Sequence, residues 1–334
     1  MTIMTRRYFV TGSTALVATP LIAQPLGWNS VAQVAGAFDQ CHAILIHQNG
    51  AQVLSQVFRG PPIARSVPVK SVSKTLVAAL TGAALDRGEI PSLNATLADI
   101  APRLIPSVAD PRVGAITVEN LVTMQAGLER TSGANYGSWV SSANWVENAL
   151  SRPFVREPGN GMLYSTGSFH VLGAVLSEVS GKSLLSLARE RLGKPLGIDV
   201  PAWTRDPQGR YLGGNEMSLS LAAMVRFGEV YRTGGMQDGK KVLSADWVNA
   251  SLEPKTRSRF SGLEYGYGWF LGQSLGVKFA LARGYGGQII CIMPSIGITA
   301  AITSDPTRPA RSGGYFGDLM ELITGSIIPV ARRA

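Results

Sequence analysis

The sequence predicts a mixed α/β (α+β) fold, an antiparallel sheet flanked by helices beside a mainly helical lobe. Three observations predict it. Strand-like runs bounded by turn residues cluster near the start and in the last third of the chain. The stretch between them reads as helices and loops. A long run of small and apolar residues, with helical character, opens soon after the first strands. Strands at both ends imply one sheet completed by the two termini, with a cleft against the inserted helices. The expected bounds are 30–92 with 205–334 for the sheet lobe and 93–204 for the helical lobe.

In order along the chain, Ala43 to Ile46 and Val53 to Phe58 form a hairpin turning at Asn49-Gly50, the dipeptide that tolerates the positive φ of a tight turn. Ser71 to Asp86 is helical and stops at Arg87-Gly88. Val118 to Met124 and Ser168 to Val179 are helices of the middle region. Ser218 to Arg232 is an amphipathic helix closed by Gly234-Gly235. Tyr267 to Phe270, Val277 to Ala282, Gln288 to Met293 and Gly297 to Ser304 read as strands, and Tyr315 to Ile328 as a final helix.

The 334 residues suffice for one large domain or two packed lobes, and 45% hydrophobic against 16% charged residues excludes extended disorder. The net charge of +9 comes from scattered basic residues. No Lys/Arg run with interleaved aromatics exists, so nucleic acid is not expected as a partner. Cys41 and Cys291 sit in apolar strand-like runs without metal-ligand spacing and are expected as buried free thiols. At the N-terminus, Arg6-Arg7 precedes an uncharged stretch to Leu26 interrupted by Pro20 and Pro25. Residues 1–26 are therefore expected to be an export signal of the twin-arginine type, directing the protein to the periplasm or beyond. No later apolar run is long enough to span a bilayer, so no stable membrane insertion is expected after processing.

The chemistry is carried by Ser71-Val72-Ser73-Lys74, an S-x-x-K pattern. Three residues is about one helical turn, which brings Ser71 and Lys74 to one face. A serine hydroxyl needs a base to become a nucleophile, and a lysine is a base only when burial or nearby positive charge strips its proton. The apolar continuation Leu76 to Leu80 supplies a desolvated setting. Ser73 points elsewhere on the helix.

Lys70 to Thr75, running on to Leu85-Asp86-Arg87-Gly88, resembles the active-site helix of serine β-lactamase-related and penicillin-binding-protein-like hydrolases. Ile116 to Leu128, Glu157-Pro158-Gly159, Tyr164-Ser165-Thr166 and Gly284 to Gln288 are similar to later segments of that family, in its order, over about residues 40 to 328. The last of these, with Thr123-Met124 before Gly127-Leu128, resembles 6-aminohexanoate-dimer hydrolases and related esterases more than antibiotic-destroying enzymes.

The resemblance implies a β-lactamase/transpeptidase-like fold and a serine hydrolase acting on small esters, amides or peptide-like molecules, with no cofactor and no metal. It implies Ser71 as nucleophile, Lys74 and Tyr164 as proton-handling partners, and the amides of Ser71 and Tyr285 as an oxyanion hole. Gly284, Gly286 and Thr166 are implied on the substrate side. Two departures stand out. Thr166 replaces the usual asparagine of Y-x-N, and Ala282-Arg283-Gly284 replaces K-T-G or H-x-G, so the third-motif cation is absent or shifted to Arg283. These favour esters and small amides over β-lactams. A D-alanyl-D-alanine carboxypeptidase, a class C-type β-lactamase and a non-catalytic ligand sensor of the cell envelope are the alternatives.

Gly272-Gln273-Ser274-Leu275-Gly276 fits G-x-S-x-G, but no histidine follows it and strand-like residues do, so it reads as a hairpin turn. His42 and His47, five apart in a strand, face opposite sides and form no metal pair. His170 is expected on a helix face.

Overall fold

The computed structural model describes residues 27–333; the expected export signal at 1–26 lies outside the described residues. A helix at Trp28–Ala37 (α1) leads into strands Cys41–Gln48 (β1) and Ala51–Val57 (β2). Their turn is the predicted one, with Asn49 at φ 52° and Gly50 at φ 82°. A two-residue strand, Val67–Pro68 (β3), precedes a tight 3-10 turn at Lys70–Val72 and the helix Ser73–Asp86 (α2). The expected helix start at Ser71 is thus a 3-10 turn rather than α-helix. The helical region that follows contains Thr166–Ser180 (α3), which starts two residues before the predicted Ser168.

Ser218–Leu219 (β4) pairs with β3, so the next helix begins at Leu221 and not at Ser218 (Leu221–Arg232, α4). Strands Thr256–Arg257 (β5), Glu264–Tyr265 (β6), Phe270–Ser274 (β7), Val277–Gly284 (β8), Gln288–Met293 (β9) and Ile298–Ser304 (β10) complete the sheet. The strand expected at Tyr267 to Phe270 is displaced. Gly268, at φ 80°, packs on α2, where a Cβ would stand 2.7 Å from that of Ala78, so the chain bends there before pairing resumes at Phe270. The last helix begins as predicted at Tyr315 (Tyr315–Glu321, α5) but continues through a wider π-type turn to Ala331.

The eight-stranded sheet has the order β2-β1-β10-β9-β8-β7-β6-β5, antiparallel throughout, so the first and last strands of the chain lie side by side. Helices cover both faces. On β10, Thr299 meets Gly228 of α4, whose Cβ would come within 2.7 Å of the threonine methyl, while Ser304 bonds the Tyr315 hydroxyl of α5 at 2.8 Å. Residues five apart on a strand point to opposite faces, which places α4 and α5 on opposite sides. Helix α2 is buried from Ser73 to Ala84. Its small residues allow that depth: at Gly82 a Cβ would lie 2.4 Å from the Trp247 ring. Ser274↔Val277 closes the rejected G-x-S-x-G segment as a hairpin, with Leu275 and Gly276 at positive φ. Both cysteines are buried and free. Among the described residues no single helix is long and apolar enough to cross a membrane, and no group of three or more His, Cys, Asp or Glu is placed to hold a metal.

Candidate active site

The turn that carries Ser71 is fixed from below. The Val69 N–H donates to Met217 O at 2.9 Å, and Met217 N–H returns to Ser73 Oγ at 3.1 Å. Ser73 Oγ in turn donates to Lys70 O at 2.6 Å. Ser73 is therefore a staple of the turn. Lys70 and Glu216 both hold left-handed backbone, φ 52° and 65°, and their side chains meet at 3.0 Å on the cavity wall. Such conformations cost about 1 kcal/mol or more each and persist where the surroundings over-determine them. The ion pair and the β3–β4 ladder do so here.

Lys74 is the most informative side chain. It is 2% exposed, and its Nζ lies 2.9 Å from Ser71 Oγ, 3.3 Å from Thr166 Oγ1 and 2.6 Å from Gly214 O. Among the described residues no carboxylate pairs with it. Burial alone brings its pKa down to about 7. A neutral amine has two N–H donors and one lone pair. Gly214 O and Thr166 Oγ1 take the donors, which leaves the lone pair for the Ser71 hydroxyl proton. The neutral form is thus fully satisfied in the geometry a general base requires.

The segment that supplies Gly214 lies directly on the start of α3. Cβ atoms at Gly213 and Gly214 would fall 2.2 Å from Phe169 O and 2.8 Å from Thr166 O, so only glycine permits this approach. His170 lies on α3, as expected, on its buried face, with Nε2 3.1 Å from Asp206 Oδ2. Burial lowers its pKa against the opposing pull of Asp206. The neutral ring donates to Asp206, and its Nδ1 accepts from Gly213 N–H at 3.4 Å. The first turn of α3 is capped from a distant loop: Thr131 Oγ1 accepts from Gly167 N–H at 2.7 Å, and Ser132 Oγ from Thr166 N–H at 2.9 Å. Ser132 lines the cavity and was not legible in the sequence, because its partner is 34 residues away.

Tyr164 is half-buried; its ring packs flat on Phe270 and stands 5.0 Å from Lys74 Nζ. Burial raises its pKa above the ordinary value, against opposing effects of a Ser71 hydrogen bond and the Arg283 charge. Burial thus acts in opposite directions on the two neighbours of Ser71, lowering the pKa of Lys74 and raising that of Tyr164. Arg283 lines the same cavity, donates to Ala310 O at 3.0 Å and stacks 3.4 Å over Phe316; burial lowers its pKa to about 10.

The cavity encloses about 530 Å³ between the Ser71 turn, α3 and the end of β8. Ser71, Tyr164, Thr166, Gly284 and Tyr285 all line it. Gly284 is forced by contact: a Cβ there would strike Val69 O at 2.3 Å. Gly286 does not reach the cavity. Its left-handed backbone turns it onto Asp305, whose carbonyl a Cβ would meet at 2.3 Å, and its own carbonyl accepts from Gln40. It shapes the turn after Tyr285.

Residues 43–320 match the family described as Beta-lactamase. "Penicillin-binding protein 4" of Amycolatopsis lactamdurans is 24% identical over 300 residues, 78% of this chain and 76% of its own length. The "D-alanyl-D-alanine-carboxypeptidase/endopeptidase AmpH" of Escherichia coli K12 is 28% identical over 206 residues, 57% of this chain, and the match spans about half (52%) of that relative. Among solved structures, "EstCE1, a hydrolase with promiscuous acyltransferase activity" superposes with a TM-score of 0.74 at 18% identity, over 89% of this chain and 98% of that one.

Proposed function

The chain belongs to the beta-lactamase family and is a serine hydrolase of that fold, and on that premise we propose that it cleaves small esters or amides through an acyl-enzyme at Ser71. The observation that carries the reading is the buried Lys74 amine, 2.9 Å from Ser71 Oγ with its other two hydrogen-bonding positions occupied.

Ser71 Oγ attacks the acyl carbon as its proton passes to Lys74 Nζ. The oxyanion is held by the amides of Ser71 and Tyr285, and the tetrahedral adduct collapses with a proton delivered to the leaving group through Tyr164. Water then repeats the sequence on the acyl-enzyme, with Lys74 again taking the proton. Esters and small amides rank above β-lactams because Ala282 occupies the first place of the third motif. Arg283 supports Tyr164 electrostatically but is already engaged by Ala310 and Phe316. The paired arginines Arg6-Arg7 support export to the periplasm or beyond.

The test is p-nitrophenyl butyrate hydrolysis by the purified protein beside its Ser71→Ala variant. The expected loss is at least about a thousandfold. Equal rates would sink the Ser71 assignment, and no hydrolysis by either protein would favour a ligand-sensing role. Faster turnover of a chromogenic cephalosporin than of esters would instead favour the carboxypeptidase or β-lactamase alternative.

A further inference from the structure

Beside the Ser71 cavity lies a second, smaller one of about 160 Å³, which shares Tyr164, Ser258 and Phe260 with it. Arg130, Arg156 and Arg259 line this side cavity. Among the described residues none of these three arginines pairs with a carboxylate. The acidic residues adjacent to two of them in sequence are committed elsewhere: Glu129 to Arg152 at 2.7 Å and Glu157 to Arg112 at 2.9 Å.

The backbone makes room for these cations. Gly161 sits at φ 84°, and a Cβ there would stand 3.0 Å from Arg156 Nη1. Arg130 lies 5.1 Å over the ring of Phe260, which is 66% exposed and forms the lip between the two cavities. Arg130 and Arg156 are half-buried, so their charges are less screened than those of a free surface. Arginines gathered in one concavity repel one another, and an anion placed among them relieves that repulsion through charge-assisted, fork-shaped hydrogen bonds.

We propose that Arg130, Arg156 and Arg259 form an anion subsite continuous with the acyl cavity, taking a carboxylate or phosphate group on the arm of the substrate that runs past Tyr164. That the anion belongs to a substrate rests on the Ser71 reading; that the site binds an anion does not. The preferred substrates are thus esters or amides carrying a negative charge a short chain away from the scissile bond. Arg283, on the other wall and already held by Ala310 and Phe316, is not part of this subsite.

The experiment compares p-nitrophenyl butyrate with two anionic esters, p-nitrophenyl hemiadipate (charge on the acyl arm) and 4-carboxyphenyl butyrate (charge on the leaving arm). For the intact protein, the anionic-to-neutral ratio of kcat/KM is expected to exceed about tenfold for at least one of them, the size of a charge-assisted hydrogen bond. In the Arg130→Gln/Arg156→Gln double variant the ratio falls to about one. Ratios at or below one for both esters, or ratios unmoved by the substitutions, overturn the proposal. Titration of adipate and of inorganic phosphate into the Ser71→Ala variant reads the site without turnover and distinguishes carboxylate from phosphate. Binding that disappears on substituting Arg130 and Arg156 sustains the subsite even if no ester is hydrolysed, and absence of heat for both anions overturns it.

Discussion

The two walls of the cavity are built differently. On the helix side, Lys74 is 2% exposed and has three polar partners, Ser73 staples the turn, and α2 is buried from Ser73 to Ala84. On the strand side, Tyr285 is 52% exposed at the end of β8, and the cation of that wall, Arg283, is turned onto Phe316. A proton-transfer pair needs a fixed distance and a dry environment, and only the first wall supplies both. The second wall is the more open of the two, and Ala282-Arg283-Gly284 stands there in place of K-T-G or H-x-G.

Breaking the helix wall is expected to have the largest effect. Lys74→Met keeps the volume but removes the base, and ester hydrolysis should fall by about a thousandfold, within the range for general acid–base catalysis. Next comes pH. With the Lys74 pKa held at about 7 by burial, kcat/KM should fall with pH below 7, where the amine is protonated, and level off above it. A flat profile from pH 6 to 8 would contradict the assignment.

The same group gives a stability signature of fixed sign. An unfolded lysine keeps its proton to near its ordinary value of 10.5, whereas the folded one releases it at about 7. Between those values the unfolded state binds more protons, so stability relative to Lys74→Met should increase with pH. Chemical denaturation at pH 7 and pH 9 measures it.

Smaller effects sharpen the contrast. Thr166→Val deletes one acceptor of the Lys74 amine at similar volume and should lower the rate by about tenfold, as the loss of one hydrogen bond to a reacting group implies. His170→Leu leaves Asp206 and the Gly213 amide without their buried partner, and thermal or urea unfolding should report a loss of about 2 kcal/mol. Tyr285→Ala removes an exposed side chain but keeps the amide, so ester hydrolysis should fall by no more than about threefold, in line with ordinary surface substitutions.

Local signals made much of this legible. The Asn49-Gly50 hairpin, the Ser71/Lys74 spacing and the Leu275-Gly276 turn each depend on a few neighbouring residues, and the structure has them where the sequence predicts. What was not legible is set by contacts remote in sequence. Gly214 reaches Lys74 across 140 residues and Ser132 caps a helix 34 residues away, neither of which leaves a periodic trace. Tyr267 to Trp269 carries aromatic residues suited to a strand, yet the close approach of Gly268 to α2 bends it out of the sheet. Gly286 lies within the Gly284 to Gln288 motif but its conformation serves the turn. Alternation along a strand left the role of Arg283 open, because the direction of a long side chain past Gly284 is decided by Ala310 and Phe316, which come later in the chain.

The central claim, a nucleophile at Ser71 made reactive by Lys74, is tested most directly by covalent labelling. Intact-mass and peptide analysis after exposure to a fluorophosphonate should show one adduct, on Ser71, absent from Ser71→Ala and formed at least about a hundredfold more slowly in Lys74→Met. An adduct on another serine, or labelling of Ser71 at an undiminished rate without Lys74, would contradict it.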